Sequence, residues 1–210
     1  MSTLARQYTL NPPLDESELL PEPVDQLQNW IAAASEAGMT EPGAMTLATV
    51  GDDGRPSARI VLCKGFHDGG VCFFTNYESR KGRELAARPQ ASLVFWWDKL
   101  ERQVRLEGPV ERVSREQSLE YFRKRPRESQ LGAYSSRQSA VVATREELDA
   151  RMEANEQAFA GSEIPLPDSW GGYVLRPQAV EFWQGRRGRM HDRLLYLRDA
   201  AGWRIERLEP

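Results

Sequence analysis

The chain is poor in the residues that most often announce chemistry. Its 210 residues include two cysteines, Cys63 and Cys72, and two histidines, His67 and His191. Two thiols exclude a disulfide framework, and no metal-ligand spacing surrounds them, so a zinc site lacks donors. There is no G-x-S-x-G elbow, no Walker A loop and no G-x-G-x-x-G turn, which removes the familiar serine-nucleophile and nucleotide-binding signatures. Apolar runs are short: residues 91–97, interrupted by Ser92, fall far below a membrane span. No charged-then-apolar leader opens the sequence, which predicts a soluble, cytoplasmic protein. Charge of one sign is lacking too, with 28 basic against 31 acidic residues and a net charge of −3. That balance excludes a globally basic nucleic-acid binder and leaves local basic patches.

What is present is a chain with 40% apolar and 28% charged residues, enough for a core at the size of one ordinary domain. The acidic excess is local. Residues 1–43 hold seven acids against Arg6 alone, so the remainder carries a net charge of +3. Only Lys64, Lys81, Lys99 and Lys124 are lysines, and the other 24 basic residues are arginines. Codon bias accounts for scattered surface arginines but not for their bunching.

Residues 1–22, rich in proline and acids, read as an N-terminal arm, and residues 23–210 as a single domain. Val24 to Ala37 places Leu27, Trp30, Ile31 and Ala34 at helical spacing before Gly38. The pattern then turns to strands: Ala44–Val50, Pro56–Phe66, Val71–Thr75, Ala91–Trp97 and Arg102–Val113. Asp-Gly turns separate the early ones. A short helix is expected from Ser79 to Ala87. Two further helices are signalled by Ser114-Arg115-Glu116-Gln117 and Thr144-Arg145-Glu146-Glu147, both of capping-box form. The first should stop near Lys124 before Pro126, the second near Phe159. Four more strands, Gly172–Leu175, Ala179–Gln184, Arg193–Leu197 and Trp203–Leu208, complete a mainly β chain with flanking helices. Successive antiparallel strands favour a barrel or curled sheet over a βαβ series.

Basic and hydroxyl residues gather in four places. Arg59 to Lys64 alternate along a strand. Thr75 with Ser79-Arg80-Lys81 lies at a strand end and helix start, where backbone N–H groups and two cations suit a phosphate, although an ordinary capped helix start reads the same way. Tyr121, Arg123, Lys124, Arg125, Arg127 and Ser129 cluster about a helix end, where cations also complement the dipole. Glu181 to Arg193 packs Phe182, Trp183, four arginines and His191 into thirteen residues. Aromatics with arginines also bind single-stranded nucleic acid; the acidic arm and net negative charge favour two phosphorylated small molecules instead.

The order of motifs resembles the pyridoxamine 5'-phosphate oxidase family from about Trp30 to Pro210. The resemblance rests on Arg59-Ile60-Val61-Leu62-Cys63-Lys64, Phe74-Thr75-Asn76 with Ser79-Arg80-Lys81, and Glu101-Arg102-Gln103-Val104. It continues through Tyr121-Phe122, Arg125-Pro126-Arg127-Glu128-Ser129-Gln130, Gln138-Ser139 and Trp170-Gly171-Gly172-Tyr173. Glu181-Phe182-Trp183-Gln184-Gly185, Arg189-Met190-His191-Asp192-Arg193 and Arg207-Leu208-Glu209-Pro210 end it. The resemblance implies a homodimeric, antiparallel split β-barrel holding flavin mononucleotide (FMN) at the subunit interface. By position it implies flavin contacts at Arg59, Ile60, Val61, Leu62, Cys63, Lys64, Phe74, Thr75, Arg80, Lys81, Gln103, Gln138, Ser139, Trp183 and Arg193. It implies a substrate-phosphate site at Lys64, Tyr121, Arg125 and Ser129. Arg189 and His191 match the catalytic pair beside the substrate ring, with Met190 between them. The implied reaction is oxidation of pyridoxamine or pyridoxine 5'-phosphate by O2, releasing H2O2, with no metal. Phe74 departs from the family, which often has tyrosine there, and Arg6-Gln7-Tyr8 resembles an arm that folds over substrate, with Ala5 where a further arginine can occur. A flavin carrier without oxidase activity is one rival reading, and it would not require Tyr121, Arg125, Ser129, Arg189 and His191; a related enzyme using flavin on another small phosphorylated amine is the closer rival.

Overall fold

The fold is given by a computed structural model, which describes residues 7–10 and 12–210. Helix α1 (Pro23–Glu36) is followed by strands β1 (Ala44–Val50), β2 (Pro56–Leu62), β3 (Phe66–His67) and β4 (Gly70–Asn76). After helix α2 (Arg80–Ala87) come β5 (Gln90–Trp97) and β6 (Arg102–Arg112), then helices α3 (Arg115–Lys124), α4 (Arg127–Ser135) and α5 (Arg145–Ala158). Strands β7 (Trp170–Leu175), β8 (Ala179–Gln184), β9 (Asp192–Asp199) and β10 (Gly202–Arg207) end the chain.

Every pairing is antiparallel, in the order β10-β9-β8-β6-β5-β1-β2, with β7 and β4 branching from the far end of β6. The curl returns on itself after β2, where Lys64 N–H donates to Cys72 O (2.8 Å) and Cys72 N–H to Gly65 O (2.9 Å). This is the curled, antiparallel split barrel with flanking helices that the sequence implied. Strand β6 makes the split: Arg102–Glu107 pair with β8, whereas Val110–Arg112 pair with β7. At the changeover the β7–β8 connection lies directly on Gly108, where a Cβ would come within 2.1 Å of Arg176 O. Only glycine lets these backbones touch.

Alternation fills the interior. Leu47, Phe73, Leu93, Phe95, Val104, Leu106, Leu175 and Phe182 are fully buried. Helix α1 closes one side by setting Trp30 edge-on to Phe182, with ring centroids 5.0 Å apart. A smaller apolar cluster of Phe122, Leu131, Ile164 and Trp170 ties α3 and α4 to β7.

Several sequence expectations need correction. Strand β2 stops at Leu62, and Cys63–Gly65 is a connection to the short β3. Three helices, not two, separate β6 from β7. Pro126 ends α3 but is also the N-cap residue of α4; its fixed φ and missing N–H suit a helix start as well as a stop. The capping box at Ser114 is complete, whereas at Thr144 the hydroxyl accepts from Glu147 N–H (3.3 Å) as a simple cap. The described part of the arm lies against the body: Leu14 is buried, and Tyr196 donates its hydroxyl proton to Leu20 O (2.7 Å). Ala5 and Arg6 lie outside the described residues.

Candidate active site

A cavity of about 840 Å³ opens between β2, β4, α2, α3 and α4. Its lining includes Arg59, Ile60, Val61, Leu62, Lys64, Phe74, Thr75, Arg80, Lys81, Tyr121, Arg125, Ser129, Gln138 and Ser139. Cationic and hydroxyl donors gather at two ends of it.

The inner end is built on the start of α2. Ser79 caps the helix by accepting from Gly82 N–H, and Ser139 Oγ accepts from Arg80 N–H at 3.1 Å. Ser139 reaches this point from a left-handed backbone (φ 71°), a costly conformation for serine. Lys81 is buried and donates to Thr75 Oγ1 (3.0 Å), Gln138 Oε1 (3.0 Å) and Ser79 Oγ (3.3 Å). Burial, helped by the nearby Arg59 charge and opposed by Glu84, pulls its pKa down to about 8. Arg59 donates through Nη1 to Thr49 Oγ1 (2.5 Å) and Leu47 O (3.3 Å), and through Nη2 to Ser57 Oγ and Glu84 Oε2.

The outer end is an aromatic stack with cations around it. Phe74 lies on Tyr121 with ring centroids 4.0 Å apart and planes at 17°, and Tyr121 is parallel to Trp170. The Phe74 ring fits because Gly172 has no side chain; a Cβ there would sit 2.6 Å from Phe74 Cε1. The Arg125 guanidinium covers Trp170 at 4.7 Å. Its Nη1 is buried without a hydrogen-bond partner. Burial raises the Tyr121 pKa, against the Arg125 charge, and lowers that of Arg125, against Tyr121. Tyr121 therefore stays a neutral hydroxyl beside a cation at working pH.

The remaining sequence-derived residues do not reach this cavity within one chain. Gln103, Trp183 and Arg193 occupy facing positions on β6, β8 and β9, and Trp96 continues the row on β5. Glu181 grips Arg193 through Nε (2.8 Å) and Nη2 (3.1 Å). His191 lies 4.5 Å from Trp183 between ring centroids, and Tyr8 meets both rings edge-on. Burial, then the Arg189 charge, lower the His191 pKa, with Asp192 opposing. Its Nδ1 accepts from Arg186 N–H (3.1 Å). Arg189 has φ 63°, and Met190 is exposed. Cys63 belongs to neither place; it is half-buried, and its thiol points to Gly65 O (3.7 Å).

Sequence reasoning passed over two residues of consequence. Trp170 lines the cavity and stacks with Tyr121, and its place in the Trp-Gly-Gly-Tyr run was the available signal. Glu84, which joins Arg59 to Arg80, carried no local signal because it sits in mid-helix among charged residues.

A curled split barrel whose cavity carries two groups of cations is a protein shaped for an elongated phosphorylated ligand, or for two ligands side by side. Residues 31–158 match the family model described as pyridoxamine 5'-phosphate oxidase, and residues 170–210 the pyridoxine 5'-phosphate oxidase C-terminal dimerisation region. The chain is 55% identical to the pyridoxine/pyridoxamine 5'-phosphate oxidase of Burkholderia cenocepacia (strain HI2424), over 94% of this chain and 93% of that one. It is 51% identical to the enzyme of that name from Rubrobacter xylanophilus, over 100% of this chain and 96% of that one. Among solved structures it superposes on PhzG from Burkholderia lata 383 with a TM-score of 0.89 at 32% identity, covering 97% and 99% of the two chains. A pyridoxamine 5'-phosphate oxidase-related, FMN binding protein from Nostoc punctiforme shares the fold (TM-score 0.73, 19% identity, 87% and 97% covered). The chain belongs to the pyridoxamine 5'-phosphate oxidase family and is an oxidoreductase.

Proposed function

We propose that the protein oxidises pyridoxamine 5'-phosphate and pyridoxine 5'-phosphate to pyridoxal 5'-phosphate, with FMN as cofactor and O2 as electron acceptor. The observation that carries this reading is one cavity lined by two cationic clusters, one of them holding an unpartnered buried guanidinium N–H. The inner end fits the cofactor phosphate: Arg80, Lys81, Thr75 and Ser139 gather where a helix start adds its own positive end. The outer end fits the substrate phosphate, with Lys64, Tyr121, Arg125 and Ser129 as its donors. When bound, FMN supplies the two-electron acceptor and passes the electrons to O2.

The chain's part is placement. A substrate anchored by its phosphate cannot tumble, and a fixed reacting pair gains up to roughly 7–11 kcal/mol in the best cases. The substrate gives up a hydride equivalent from C4' and a proton from its nitrogen or oxygen. The alcohol becomes the aldehyde directly, while the amine becomes an imine that water splits to aldehyde and ammonia. O2 takes two electrons and two protons and leaves as H2O2. Arg189 holds the substrate ring, and its charge favours the electron-rich species formed as the proton leaves. His191 orients the ring or moves the proton.

In this reading the protein is a homodimer with FMN at the interface, and residues 183–193 of one copy complete the cavity of the other. Support comes from the match of residues 170–210 to a dimerisation region. It also comes from the outward-facing row of Trp96, Gln103, Trp183 and Arg193, none of which lines the 840 Å³ cavity of its own chain. A cytoplasmic setting belongs to the same proposal, consistent with two free thiols.

The purified protein is expected to be yellow and to release peroxide with pyridoxamine 5'-phosphate. No flavin absorption after adding FMN defeats the reading, and a yellow protein that yields no peroxide makes it a carrier. Lys81 gives the pH dependence. With its pKa near 8 in the unliganded protein, it is charged below that pH and neutral above it. Affinity for FMN should hold from pH 7 to 8 and weaken by up to about tenfold per unit beyond, because a dianion binds the charged form. Lys81→Met should bind FMN weakly throughout and lose this limb; a limb that persists in the variant assigns it to another group.

A further inference from the structure

We infer that Glu84 is the positioning residue of the inner anion site: its carboxylate fixes Arg59 and Arg80 so that a phosphate meets cations already in place. Glu84 lies outside every residue group that sequence or family resemblance pointed to, and the inference rests on the cofactor reading above.

The geometry is that of a hub. Oε2 accepts from Thr49 Oγ1 (2.5 Å), Ser57 Oγ (2.6 Å) and Arg59 Nη2 (3.2 Å), while Oε1 accepts from Arg80 Nε (2.9 Å). One carboxylate thus joins β1, β2 and α2, which are separate in sequence. Glu84 is itself buried. Burial alone would raise its pKa, yet hydrogen bonds from Ser57, Thr49, Arg80 and Arg59 bring it to about 2, so it is an anion at any working pH.

The two arginines are held differently. All four terminal N–H groups of Arg59 are directed at Leu47 O, Thr49, Ser57 and Glu84, which leaves its charge at the site but few donors. Arg80 is tied through Nε alone, and its Nη groups take no other acceptor among the described residues. It lines the cavity and is largely exposed, so without Glu84 its long side chain would be free to leave the site. Glu84 restricts that freedom before the ligand arrives, which lowers the ordering cost of binding. Its negative charge also offsets part of the repulsion among Arg59, Arg80 and Lys81.

The test is retention of FMN by the holoprotein on dilution, read from recovery of free-flavin fluorescence. Glu84→Gln keeps the shape of the side chain but turns a donor toward one of the guanidiniums, and should weaken FMN roughly tenfold. Riboflavin, the same ring without phosphate, should be retained by wild type and variant to within about twofold, since the lost order concerns the phosphate. In an Arg80→Ala background, Glu84→Gln should cost much less, because the residue acts largely through Arg80. Unchanged FMN retention, equal weakening for both flavins, or full additivity with Arg80→Ala overturns the inference. A wild-type protein that retains no FMN defeats the cofactor reading instead.

Discussion

Replacing Arg125 by alanine is expected to raise KM for pyridoxamine 5'-phosphate about 100-fold, the largest functional effect of any single change in the cavity. The guanidinium is sandwiched by packing and not by protein acceptors: it lies over Trp170 and near Phe122, with Nη1 buried and unpartnered. A buried charged donor without an acceptor costs free energy in the empty protein. An incoming phosphate satisfies it, so part of the binding energy comes from relieving that cost. Losing a charge-assisted contact of this kind costs up to about 3 kcal/mol. Lysine should not restore it, because the compact ammonium neither stacks on Trp170 nor offers a planar fork. Steady-state kinetics with the phosphorylated substrate and with unphosphorylated pyridoxamine make the check. The variant should be close to wild type on the latter and lose its preference for the former. A KM within about threefold of wild type would show that Arg125 does not meet the phosphate.

Gly108→Ala should lower stability by about 3 kcal/mol, or roughly 10 °C in Tm, with no change in the residues of the cavity. The added methyl would sit 2.1 Å from Arg176 O and 3.1 Å from Gln178 N. Both are backbone atoms, pinned by Arg176 N–H to Pro109 O (2.9 Å) and Gln178 N–H to Glu107 O (2.8 Å). No rotamer change relieves the contact, so the split between the two halves of β6 must open. Gly132→Ala is the control with opposite sign: it lies within α4, has nothing within 4 Å of the added methyl, and should gain about 0.5–1 kcal/mol. Thermal denaturation of the unliganded proteins compares them. Equal Tm values for Gly108→Ala and wild type would mean that the changeover tolerates a wider spacing.

Much of the fold could be read locally. The period-two pattern of Ala44–Val50 states which side chains turn inward, because a strand alternates faces whatever it pairs with. Asp-Gly turns and the Ser114 capping box are likewise short-range chemistry. Helix α4 was missed because Pro126 carries the same local signal for ending one helix and for starting the next. The anion character of the site was legible as well, since Ser79-Arg80-Lys81 and Tyr121 to Ser129 concentrate donors within short stretches of chain.

The sequence by itself thus determined the inventory: antiparallel strands, helix starts, an acidic first segment and clustered arginines above a slightly positive body. Tertiary structure decided how that inventory is divided. Strand pairing sets Gln103, Trp183 and Arg193 side by side, outside the lining of the cavity, although Gln103 and Trp183 are eighty residues apart. Curling of the barrel carries Glu84 to Arg59 and lays Trp170 against Tyr121. These contacts follow from register and closure, which depend on every strand at once, whereas periodicity and capping depend only on neighbours in the chain.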